Sequence, residues 1–218
     1  MTQRILFLFL KDARLELRSK TALATLFMYA LASVFSIYMA IGEPENEWVW
    51  NALFWISMIY CSVHSVMRLF YNETHSMRLY YYQIADPHEI IFSKLLYGLV
   101  FNTLLWLVTF GAFALFLGSM VQNYPLFILV SLLSIWGMSS ILTLISAIAA
   151  QTNNAAGILP VLAFPVLLPL FLSAINATMS ALSGDSLSSQ LPNLIVLSLF
   201  NIVSWLLSYL LFPYLWRN

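Results

Sequence analysis

The chain has 218 residues, of which 61% are hydrophobic, 16% aromatic and only 8% charged, and nine Lys and Arg balance nine Asp and Glu. A soluble domain carries about 25% charged residues, and so few charged side chains cannot cover so apolar an interior. A soluble enzyme, a disordered chain and a nucleic-acid binder are excluded on these grounds, and the chain reads as an integral membrane protein.

Residues 3–20 come first. At helical spacing Leu6, Leu10, Ala13 and Leu17 fall on one face, while Lys11, Arg14 and Arg18 fall on another. This pattern predicts an amphipathic helix in the headgroup region with its bases toward anionic lipid. The basic stretch runs on to Lys20 and the apolar run after it has membrane length, so it does not read as a cleavable signal.

A spanning helix needs roughly 20 mostly apolar residues. Six stretches qualify: 21–41, 49–69, 92–118, 124–149, 156–175 and 193–214. They must be helices, because only a helix or a closed barrel pairs its own backbone in hydrocarbon, and a barrel would show short alternating segments. The fold class expected is an all-α polytopic membrane protein, one domain over residues 1–218.

Between the second and third spans, residues 70–91 hold Glu73, Arg78, the run Tyr80, Tyr81 and Tyr82, then Asp86, Pro87 and Glu89. Pro87 pushes Asp86 out of helical geometry. A short helix should therefore end there, with Met77, Tyr81, Ile84 and His88 along one face, and the third span should begin just after. In the fifth span Pro160, Pro165 and Pro169 each remove a backbone donor, which predicts an irregular helix suited to a gate. Residues 176–192 are small and polar and read as an outside loop or short surface helix.

All nine Lys and Arg fall on the side that holds the N-terminus: Arg4, Lys11, Arg14, Arg18, Lys20, Arg68, Arg78, Lys94 and Arg217. The positive-inside rule then places both termini in the cytoplasm. Trp48, Trp50, Tyr124 and Trp216 lie near span ends and suit interfacial anchoring.

Chemistry is sparse. No P-loop, HExxH or GxSxG motif occurs, so no catalysis is expected, and ATP hydrolysis would fall to a partner. The single Cys61 excludes an intramolecular disulfide and reads as a small buried hydrophobe. His64, in the second span, reads as a structural histidine, with metal or haem ligation the alternative. His75 and His88 read as solvated or docked. The aromatic residues either pack helices or line a pocket for a flat apolar substrate. No metal site is expected.

The run Lys11-Asp-Ala-Arg-Leu-Glu-Leu-Arg-Ser-Lys20 resembles the N-terminal Lys-Asp-x-Arg-x-Glu-x-Arg signature of the CcmB (haem exporter protein B) family. Pro87 and Lys94 match the family's cytoplasmic coupling segment and the start of its third span. The run Phe164-Pro165-Val-Leu-Leu-Pro169-Leu is similar to its Leu-Pro-Leu-x-x-Pro segment. Met77 and the tyrosine run stand where the family has a glycine and a Leu-Glu pair.

The resemblance implies a type-2 ABC permease of a cytochrome c maturation transporter in the bacterial inner membrane. It further implies a CcmA-like ATPase partner, a CcmC-like haem-handling partner and a second permease copy, with haem as possible cargo. ATPase coupling then falls to Glu73, Arg78, Asp86, Pro87 and Glu89. Two readings stand beside it: a type-2 ABC permease for another hydrophobic cargo, and a non-transporting assembly scaffold.

Overall fold

A computed structural model describes residues 2–18, 20–71, 86–152 and 155–217, apart from some side chains at helix ends. The expectations for Glu73, His75, Met77, Arg78, the tyrosine run and Ile84 lie outside the described residues, as do the side chains of Leu17, Arg68 and Trp216.

Among the described residues, seven α-helices follow one another: α1 Thr2–Arg18, α2 Lys20–Ile41, α3 Glu47–Tyr71, α4 Pro87–Phe116, α5 Tyr124–Ala149, α6 Ala155–Leu182 and α7 Leu191–Arg217. A 3-10 turn, Leu187–Gln190, leads into α7. Among the described residues, five helices, α3 to α7, are long and apolar enough to cross a membrane, and α2 carries a shorter apolar stretch, Phe27–Ile41. The protein is an all-α polytopic membrane protein, as expected.

Local chemistry fixes the helix ends. Asp86 is extended (φ −70°, ψ 144°), Pro87 takes the first helical position of α4, and Glu89 accepts from the Asp86 backbone N–H at 3.4 Å. The third span therefore starts at Pro87 rather than at residue 92, and His88 belongs to α4, not to a helix that ends before it. The Asn123 side chain accepts from the Leu126 N–H at 3.2 Å to open α5. Gly42 and Gly118 follow α2 and α4 with φ of +74° and +73°, the left-handed geometry that closes a helix.

α5 is the inner helix: 72% of its most apolar stretch is buried, against 28% for α6 and 17% for α7. With no water to squeeze out between helices, packing and interhelical hydrogen bonds hold such a bundle together. Small residues on α5 let its neighbours close in. The indole of Trp205 on α7 donates to Ser140 Oγ, and Asn201 Nδ2 donates to the Leu133 carbonyl. From α4, Asn102 Nδ2 donates to Ser139 Oγ at 3.2 Å.

The aromatic residues pack helices. The Phe54 ring centroid lies 5.4–6.3 Å from those of Trp50, Trp55, Phe110, Phe113 and Phe127. Trp50 is thus core, fully buried with its indole donating to the Gly118 carbonyl at 2.9 Å. The expectation that it anchors at the interface is corrected, whereas Trp48 and Tyr124 are exposed.

The polar stretch after the fifth span also differs from expectation. Residues 176–182 continue α6, because Ala177, Thr178, Ala181 and Leu182 pack inward. Thr178 Oγ1 donates to Asn51 Oδ1 and accepts from the Trp55 indole, both at 2.9 Å. The Thr178 hydroxyl also reaches the Ala174 carbonyl at 2.7 Å, so its one proton is shared between that carbonyl and Asn51, and the amide of Asn51 donates to the Ile175 carbonyl at 3.0 Å. A polar run that satisfies itself across an interface reads in sequence like a loop.

The connections without bases meet at one end. There the Asn123 N–H donates to the Ala181 carbonyl, and the Asn123 side chain donates to the Asp185 carbonyl. At the other end lie α1, Asp86 and the contact of Gln151 with the Leu215 carbonyl at 2.9 Å.

Candidate coupling site at the basic end

The first two turns of α4 stand between α1 and α7. On one side the contact is ionic. Lys94 Nζ lies 3.1 Å from Asp12 Oδ2, and Lys11 Nζ lies 2.9 Å from Asp12 Oδ1. Glu89, 2% exposed, has Arg4 at 3.9 Å. Arg4 is solvated, so that pair is weak. Asp12–Lys94 is enclosed on both partners, and loss of one partner would leave a charge out of water.

On the other side the contact is aromatic. The His88 ring stacks on Tyr209 with centroids 4.2 Å apart and planes at 23°. Phe92 lies 5.7 Å from Trp205 and 6.1 Å from Tyr209. Nδ1 of His88 is buried without a hydrogen-bond partner among the described residues.

The start of α4 is therefore gripped from two sides.

A family model described as CcmB protein matches residues 3–213. The chain belongs to the CcmB family. No curated protein matches it. The family match opens inside α1 and closes inside α7, so α1 is part of the CcmB unit. This CcmB-family chain is a multi-pass membrane protein of the permease type.

The residues singled out in the sequence fall into three places. Asp86 is exposed at the N-cap of α4 and Pro87 follows it in the first turn. Glu89 is not on that exposed surface: its carboxylate is buried, turned to its own N-cap and toward Arg4. Pro160, Pro165 and Pro169 are each exposed, and all three lie inside the continuous helix α6. His64 sits apart, exposed on α3 with its ring 4.7 Å from that of Tyr29 on α2.

Among the described residues, no three His, Cys, Asp or Glu side chains gather to hold a metal ion. Cys61 is a buried free thiol between α2, α3 and α4.

Sequence reasoning did not pair Asp12 with Lys94, nor His88 with Tyr209. A signal for the first was present: Lys94 is a lone cation inside an apolar run, and such a charge requires a partner. The second had no sequence signal, since α4 and α7 are distant in the chain.

Proposed function

We propose that the chain is the permease subunit of an ABC transporter that acts in haem export or delivery for c-type cytochrome biogenesis. ATP is hydrolysed by a separate CcmA-like subunit, and a CcmC-like membrane protein handles the haem. The family match over almost the whole chain carries this reading, and the clamp around the start of α4 gives it a physical route.

In this reading the ATPase sits on the cytoplasmic face of the bacterial inner membrane, where both termini lie. It docks against residues 70–91 through Glu73, Arg78, Asp86 and Pro87. Glu89 acts differently from the exposed Asp86: it holds the first turn of α4 in place so that the docked load is not lost in helix fraying. A second permease copy completes the assembly. Haem is cargo of the complex, not a resident cofactor of this subunit.

The test is affinity purification of the tagged chain in mild detergent, followed by mass spectrometry and a haem spectrum. An ATP-binding subunit recovered with a haem-containing membrane protein is the expected outcome. An ATPase without haem would turn the reading to a permease for another hydrophobic cargo. A folded preparation with neither partner would turn it to a scaffold. Substituting Glu73, Arg78 and Asp86 with Ala should abolish ATPase recovery and leave membrane insertion unchanged, and retained association would remove the docking assignment.

A further inference from the structure

α1 carries opposite charge on opposite sides. Its acids turn to the bundle: Asp12 meets Lys94, and Glu16, one turn on, is half-buried on the same side. The arginines of its second half turn away. Arg14 and Arg18 are exposed, and with Lys11, Phe7, Leu10 and Leu15 they line a surface groove of about 340 Å³. No acid lines this groove, and no carboxylate among the described residues pairs with Arg14 or Arg18.

We propose that this groove is a binding site for one anionic phospholipid, with its phosphate on Arg14 and Arg18 beside Lys11 and the start of an acyl chain against Phe7, Leu10 and Leu15. The two chemistries that line the groove are the two that such a lipid offers. Guanidinium groups match phosphate oxygens in bidentate geometry. Exposed Phe7, Leu10 and Leu15 are costly in water and at ease against acyl chains. A second copy of the chain is a poor occupant, since a symmetric contact would set the same bases against each other. The lipid holds α1 from outside while Asp12 holds Lys94 from within, so it braces the helix that positions α4. The site stands independently of the ATPase reading.

The test uses the full chain purified in detergent, with native mass spectrometry after addition of dioleoylphosphatidylglycerol or dioleoylphosphatidylcholine. The wild-type chain should retain phosphatidylglycerol in preference, and added salt should weaken that preference. R14Q/R18Q should lower phosphatidylglycerol retention about thirtyfold, each base near an anionic surface counting for about fivefold. Retention of phosphatidylcholine should not change. Equal retention of the two lipids by the wild-type chain overturns the site, and so does equal phosphatidylglycerol retention by wild type and variant. A variant that changes oligomeric state but not lipid retention assigns the face to a second copy and also overturns it. If the variant fails to fold, lipid preference and salt dependence of the wild-type chain still decide.

Discussion

Asp12 uses its two carboxylate oxygens on different lysines, Oδ1 for Lys11 and Oδ2 for Lys94. The two ends of the Asp12–Lys94 pair are therefore unequal. Lys94→Met removes an ammonium but leaves Asp12 with Lys11, and the methionine fills the same slot. Asp12→Asn takes the charge from both lysines at once and leaves Lys94 enclosed beside a neutral amide. Breaking a buried pair from one side costs roughly 3–5 kcal/mol, and the lower end applies here because Asp12 keeps some contact with water. Thermal melting in detergent should therefore rank Asp12→Asn well below Lys94→Met, with D12N/K94M close to the latter. If the two single variants melt alike, the carboxylate does not bridge both lysines. Glu89 belongs at this scale too, since a residue that reads as a surface acid in the sequence is spent on capping its own helix.

At the level of elements, α5 sets the spacing of the bundle through what it lacks. A Cβ built on Gly137 would lie 2.8 Å from Leu170 Cδ1 on α6 and 3.2 Å from Asn201 Nδ2 on α7. That amide already donates to the Leu133 and Leu197 carbonyls, so it has little room to give. Leu170 is fully buried, so its methyl has nowhere to move without displacing a neighbour. Overpacking of this kind costs about 1–3 kcal/mol. Gly137→Ala should lower the melting temperature clearly, while Ser139→Ala, which removes only the hydrogen bond to Asn102, should cost about 0.6 kcal/mol. An unchanged Gly137→Ala melt would mean that α6 can step aside. The three prolines of α6 lie inside a helix that runs from Ala155 to Leu182.

For the whole molecule, helix number was legible in the sequence because length and hydropathy alone decide what can cross hydrocarbon. The partners of those helices were not, since an apolar residue that faces lipid and one that faces a neighbour look the same. Trp50 and residues 176–182 show the difference: each was read from polarity and position, and each is settled by a contact made far away in the chain. The candidate site was half legible. Asp86 and Pro87 announce a helix start, but the grip of α1 and α7 on α4 depends on tertiary contacts that no local pattern encodes. The distribution of charge at the two ends of the bundle leads to the last prediction. Glu45 is exposed among the connections that carry no base, while Asp86 is exposed at the opposite, basic end. Cys61 is buried and should react poorly, but replacing it with Ala gives a clean background. In intact cells a membrane-impermeant maleimide should label C61A/E45C from outside and should label C61A/D86C only after the membrane is opened. The reverse pattern would invert the chain in the membrane and place α1, the start of α4 and any docked ATPase on the wrong side of the energy supply. Labelling of both positions in intact cells would mean that the two ends are not separated by a bilayer at all.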